Sequence, residues 1–141
     1  MIRISVSGVE KLHSFLFKLT QLSTRDEILD EIEALMLNLV RTRFLAQTAP
    51  DGSKWPVSRA AIRRQHSGRD GGTLFDTGTL FHSIQAYAHP PSERIIGTDV
   101  FYGKFHNEGI GQEKRVFLGF GPSDVNIIEK LVVKRIKSLL E

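Results

Sequence analysis

Between Asp76 and Glu108 the chain gathers residue types that could do chemistry. His106-Asn107-Glu108, with Tyr102 and His82 nearby, has the ingredients of a metal site or an acid–base pair. The spacing argues against both. His106 and Glu108 stand two apart, and a helix splays such positions instead of aligning them. No H-E-x-x-H occurs. Asp76 and Asp99 could converge with these residues in space, but nothing in the spacing brings them there. Histidines satisfied by structural neighbours are the favoured reading, since many folds place His without chemistry. There is no G-x-S-x-G nucleophile elbow, and a chain without cysteine has no thiol nucleophile or thiolate metal site. Thr77-Gly78 lies in a glycine-containing loop, yet G-x-x-x-x-G-K-[S/T] and G-x-G-x-x-G are both missing, so phosphate cradling is disfavoured. No catalytic, cofactor-binding or metal-binding residue is expected, and the protein reads as a non-enzyme.

Two other groups of residues could bind a partner. Arg59, Arg63, Arg64, His66 and Arg69 form a basic cluster. Its plain reading is a solvated face, because surface charge is ordinary. Its sharper reading is contact with DNA phosphates or acidic protein surfaces through Arg59, Arg63, Arg64 and Arg69. No aromatic residues interleave with it, which weakens single-strand binding. Pro50-Asp51-Gly52 is turn chemistry, and Trp55, the single tryptophan, packs as a core or rim aromatic beside it. Trp55 also qualifies as an inter-subunit anchor, since Trp is enriched at such positions.

The bulk properties frame these sites. At 141 residues the chain is expected to form one domain, 1–141. That size supports a core without metal or disulfide. A net charge of +3 with a pI near 9.4 is mild. The first residues, MIRISVSGVEKLHSF, lack the apolar core of a signal peptide. No apolar run approaches the ~20 residues that a membrane span needs. A soluble protein made in the cytoplasm, with no membrane partner, is the default expectation.

The elements that must position the sites follow from periodicity. Ile2, Ile4 and Val6 alternate with polar residues as in a short strand, and Val9 to Leu22 carries helical spacing. A long helix is expected over 24–46, with Ser23 or Thr24 as N-cap and Asp26 and Glu27 in its first turn. Its stripe is Ile28, Ile32, Leu35, Met36, Leu39, Val40 and Phe44. Ser58 is expected to cap a short helix over 59–66. Ser67 to Gly72 is expected to be a mobile loop. Asp76 or Thr77 would cap a short helix through Leu80 to Ile84. Strands are expected over 83–88 and 94–97, joined by a turn at Pro90-Pro91. Asp99 would cap a helix through Tyr102 to Asn107, broken by Gly109. Val116 to Phe120 reads as a last strand. Pro122 and Ser123 would open a final helix over 123–140, with Val125, Ile128, Leu131, Val132, Ile136 and Leu139 on its apolar face. Mixed helix and strand without alternation imply an α+β fold, with the two long helices packed on a small, mostly antiparallel sheet.

The order of these blocks resembles a known family. An amphipathic helix ends in Arg43-Phe44, P-D-G-x-x-W follows at Pro50 to Trp55, and a basic segment comes next. Then come L-x-x-T-G-x-L-x-x-S at Leu74, Thr77, Gly78, Leu80 and Ser83, and Gly97-Thr98 ahead of Tyr102, His106 and Gly109. Arg115, Phe117, Leu118 and Gly119 form an R-x-F-L-G block, followed by an acidic residue and a C-terminal helix. This set is similar to the virion morphogenesis, or tail completion, proteins of Mu-like and related tailed phages and prophages. Gly103 stands where that family usually has Ala, and Lys114 where Pro is common. The resemblance implies a structural protein of the virion, at the head–tail connection or the head-proximal end of the tail, assembled as a homo-oligomeric ring. Its implied partners are itself, other tail or connector proteins, and passing double-stranded DNA. Trp55, Thr77, Gly78, Tyr102, His106, Gly109 and Arg115 become structural or interface candidates. The alternative is a small nucleic-acid-binding module using the Arg59–Arg69 cluster.

Overall fold

The structure, a computed structural model, describes residues 17–18, 22–69, 72–89 and 93–140. The expected first strand, most of the expected first helix and the Pro90-Pro91 turn lie outside those residues. The 67–72 loop does so in part.

Helix α1, Leu22–Ala46, is the framework. Ile28, Met36, Val40 and Phe44 are buried along one stripe, as the helical period requires. The helix starts earlier than its sequence suggests, so Ser23 and Thr24 lie within it and are not its caps, and its first turn holds no acidic residue. Its carboxylates act across the fold instead. Asp26, Asp30 and Glu33 surround the Arg94 guanidinium at 3.6, 2.9 and 3.5 Å. Glu27 and Glu31 each lie 3.3 Å from Arg135. α1 ends in a left-handed Gln47 (φ 58°). There Gln47 N donates to Phe44 O and Thr48 N to Arg43 O, the paired closure of a Schellman motif.

A tight loop follows. Gly52 N donates to Ala49 O at 2.9 Å, and the Asp51 carboxylate accepts from Ser53 N and Oγ at 2.9 and 2.6 Å. Helix α2, Arg59–His66, is capped by Ser58, whose Oγ accepts from Ala61 N at 3.0 Å. Helix α3, Thr79–Ser83, begins at left-handed Gly78 (φ 81°) with no side-chain cap, so neither Asp76 nor Thr77 caps it. Strands β1, Gln85–His89, and β2, Glu93–Gly97, pair antiparallel with Gln85 opposite Gly97. Ser83 therefore belongs to α3, not to a strand. Helix α4, Tyr102–Glu108, follows Phe101 without a side-chain cap and closes on left-handed Gly109 (φ 73°). Asp99 does not cap it. The local side-chain contact comes from Thr98, whose hydroxyl accepts from Val100 N at 3.0 Å. Helix α5, Pro122–Leu140, completes the α+β fold. α1 packs against both strands and against α5. A two-stranded hairpin is marginal by itself, so this support is what makes it stable. On α5, Val125 is exposed, contrary to its expected place on the apolar face, while Ile128, Leu131, Val132, Ile136 and Leu139 are half-buried.

Val116 to Phe120 is not a strand. Its backbone groups find side-chain partners instead of a ladder. Asn107 Oδ1 accepts from Phe117 N and Leu118 N, both at 3.0 Å, and Trp55 Nε1 donates to Val116 O at 2.8 Å. The segment lies as a strap over the core, with Phe117 fully buried. Phe44 is the hub of that core. Its ring meets Trp55 at 5.2 Å, Phe81 at 5.5 Å, Phe117 at 5.7 Å and Phe75 at 6.5 Å. Val40, Leu80 and Ile84 complete the buried cluster. Close backbone contact seals one side: a Cβ on Gly121 would collide with the Pro50 carbonyl. Beside it Asp124, fully buried, accepts from Gly121 N at 2.8 Å and pairs with Arg43.

Removing the hub tests this packing. Phe44→Ala should lower unfolding stability by roughly 3–5 kcal/mol. Its exposed neighbour Leu45, changed to Ala, should shift stability by under about 0.5 kcal/mol. Urea titration of both variants checks this. Equal losses would place the hub elsewhere.

Candidate functional site

The motif residues converge more than their spacing suggests. Thr77, Gly78, Tyr102, His106 and Arg115 line one cleft of about 360 Å³, together with Arg64 and Asp76. Ser58 and α2, the α3 N-terminus, α4 and the chain at Gln112 and Arg115 supply its walls. Gly109 and Trp55 do not line it.

Arg115 is buried at 5% exposure. Its Nε donates to Pro56 O at 2.7 Å, and its Nη2 to the exposed Glu113 carboxylate at 3.1 Å. Its backbone N donates to His106 O at 2.8 Å. Arg115 thus ties the tryptophan loop, the strap and α4 together. Burial and the nearby Arg115 charge both hold the His106 pKa below the ordinary His value. The ring is therefore neutral at neutral pH. Its Nδ1 is buried without a hydrogen-bond partner among the described residues, and Tyr102 meets it edge-on at 6.2 Å. Asp76 is engaged by Arg69 at 2.6 Å and Arg64 at 3.8 Å. His82 donates through Nδ1 to Gly78 O at 2.7 Å and, like Asp99 and Glu108, does not line the cleft. Among the described residues no three of His, Asp and Glu converge to hold a metal ion.

The other motif side chains are ties of the same kind. The Ser83 hydroxyl bonds to Leu80 O at 2.6 Å and to the Thr98 hydroxyl at 2.5 Å, linking α3 to the chain after β2. Trp55 is a core residue at 5% exposure, so it reaches a neighbour only through the loop it anchors. In Gly103 the small side chain matters: a Cβ there would lie 3.0 to 3.3 Å from Thr98, Leu80 and Phe117.

The basic cluster divides. Arg59 and Arg63 are exposed and make no ion pair among the described residues. Arg64 does not belong to that exposed face. Its side chain is 12% exposed and it donates to Gly72 O, where a left-handed glycine (φ 69°) turns the chain back onto α2. Arg69 is exposed but paired with Asp76.

Sequence reasoning missed Asn107, Thr98 and Asp124 as structural keys. An Asn before a helix-ending Gly reads as local turn chemistry. Nothing near it reveals that its amide caps backbone 10 and 11 residues further on.

The lowered His106 pKa has a measurable sign. Well above pH 6.5, the ordinary His value, the ring is neutral in both folded and unfolded chains. As pH falls below that value the unfolded chain takes up a proton first, so stability declines until the folded value is reached. Urea midpoints from about pH 7.5 to about pH 5 should therefore fall, and His106→Gln should flatten that slope. Parallel slopes in both proteins would show that His106 titrates normally.

No helix among the described residues is long and apolar enough to cross a membrane. No curated protein and no solved structure matches the chain. The profile of the phage virion morphogenesis family matches residues 7–137. That span runs from before α1 through the strap into most of α5. The chain belongs to the phage virion morphogenesis family, and its role is that of a phage structural or assembly protein.

Proposed function

We propose that this protein completes the tail or the head–tail connector during virion assembly, as a subunit of a homo-oligomeric ring and without catalysis. One observation supports this reading above the rest. In a chain of the phage virion morphogenesis family, residues of the ordered sequence blocks serve as ties between segments, Arg115 to Pro56 and Ser83 to Thr98, and Asn107 beside them ties α4 to the strap. Such ties make a rigid shape, and shape is what an assembly subunit contributes. Head-to-tail contacts that close by rotation generate rings. The partners of this reading are further copies of the chain and other tail or connector proteins, within the virion.

The nucleic-acid reading keeps a smaller place. Arg59 and Arg63 make no ion pair among the described residues and stand four apart on α2, which puts them on one side of the helix. They suit contact with DNA passing a ring. Two phosphate contacts give a salt slope of only roughly −2, so the free subunit should bind duplex weakly. Arg59→Ala with Arg63→Ala should leave thermal stability unchanged within about 0.5 kcal/mol per site. Tight, steeply salt-dependent binding that the double variant abolishes would favour a dedicated DNA-binding module.

The decisive test is genetic. Deleting the gene from its phage should give filled heads and tails that fail to join, or tails of aberrant length, in electron micrographs. Complementation with Trp55→Ala should restore joining poorly, because the loop it anchors loosens. Normal infectious virions from the deletion would defeat the proposal.

A further inference from the structure

Strand β2 is paired on one edge. That edge bonds to β1, and in an antiparallel pair the alternate N–H and C=O groups of each strand point the other way. Among the described residues those outward groups of β2 meet no third strand. They border a slot of about 380 Å³. Four consecutive residues, Glu93 to Ile96, line it. Side chains alternate between faces, so a run of four means that the strand's edge, and not one face alone, opens into the slot. Leu29, Ile32 and Met36 line it from α1, and Leu118 to Phe120 from the strap. Its one cation, Arg94, is already shared by Asp26, Asp30 and Glu33. Arg94 and Ile96 turn toward α1 and the core, and Ile95, 43% exposed, faces the other way.

An open edge beside an apolar helix accepts a strand whose alternate side chains are apolar. The sequence contains one such segment without a described place. Ile2, Ile4 and Val6 alternate with Arg3, Ser5 and Ser7. The other strand-like stretches are accounted for, since β1 and β2 pair with each other and 116–120 is the strap. At about 3.3 Å per residue, residues 2–6 span roughly 16 Å, close to the rise of α1 from Leu29 to Val40 at about 1.5 Å per residue. The chain also approaches from the matching end. Lys18, twelve residues past Val6, donates through Nζ to Leu139 O at 3.0 Å, in the last turn of α5. One turn earlier Arg135 holds Glu27 and Glu31 near the start of α1, and Arg94 at the start of β2 holds Asp26 and Asp30. Lys18 and the Glu93 mouth of the slot therefore lie toward one end of the molecule. A segment tethered there meets the slot at an effective concentration on the order of millimolar, an advantage that a separate copy lacks.

We propose that residues 2–7 of the same chain lie along the free edge of β2 as a third strand, with Ile2, Ile4 and Val6 against Leu29, Ile32 and Met36 and with Arg3, Ser5 and Ser7 turned outward. The cover belongs to the single subunit and does not depend on ring assembly. Covered in this way, β2 offers no edge to a neighbouring copy. Uncovered, it is a template for strand pairing between copies.

The chain contains no cysteine, so introduced pairs read the contact directly. Ile95→Cys is combined in turn with Arg3→Cys, Ser5→Cys and Ser7→Cys in the full chain and oxidised at low concentration. At least one pairing should close an intramolecular disulfide, because side chains opposite one another on adjacent strands fall within disulfide range. Ile95→Cys with Ile2→Cys, Ile4→Cys or Val6→Cys should not close one, since those residues face α1. Intact mass and non-reducing electrophoresis separate closed monomers from linked dimers. In the chain without cysteines, Ile4→Asp should lower the melting temperature by roughly 5 °C or more, and Ser5→Asp should leave it within about 2 °C. Equal disulfide yields from both sets, or no closed monomer in any pairing, would overturn the proposal. Dimers in place of closed monomers would assign the segment to a neighbouring copy and overturn the single-subunit contact. An Ile4→Asp variant that melts with the wild type would overturn the apolar seating.

Discussion

The fold depends on one aromatic side chain at the end of a long helix. Phe44 is almost fully buried and touches Trp55, Phe75, Phe81 and Phe117, which arrive from three separate stretches of loop, helix and strap. Edge-to-face rings add to the area they bury, so the hub both stabilises and orients its neighbours. Hydrogen bonds then fix Trp55 and the strap that carries Phe117. Trp55 holds Val116 O, and Asn107 holds the amides of Phe117 and Leu118. A sheet of two strands could not organise this half of the molecule. The hub and strap do so instead.

Electrostatics act at the two ends of α1 in different ways. Near its N-terminal half, exposed and half-buried carboxylates surround Arg94 and Arg135 and fasten β2 and α5. The outer pairs, such as Arg135 with Glu27, are individually weak and set alignment more than stability. At the other end Arg43 meets the buried Asp124 carboxylate. Removing either partner would strand a buried charge, which is far more costly than losing a surface pair. The costly pair therefore lies at the hub end of α1.

Much of this was legible in the chain. The stripe of α1, the Ser58 cap, the turn at Pro50 to Gly52 and the opening of α5 at Pro122 are local signals, and the structure contains each. The misreadings share one cause. Val116 to Phe120 looks like a strand because its residue types suit one, yet its partners are side chains from Trp55 and Asn107. Asp26 and Glu27 suit a helix start, yet they serve Arg94 and Arg135 across the fold. Arg64 suits an exposed basic face, yet a glycine turn gives it a carbonyl to hold. Long-range hydrogen bonds and ion pairs leave no periodic trace. The cleft, assembled from four distant blocks, was visible as an ordered motif set but not as a place.

On the proposed function, these ties build a subunit for a virion junction. The most direct measurement is electron cryomicroscopy of intact particles from the phage that carries this gene. The account predicts several copies of this fold, in a closed ring, at the head-proximal end of the tail or in the connector. Particles whose tail and connector contain no copy of the chain would contradict it.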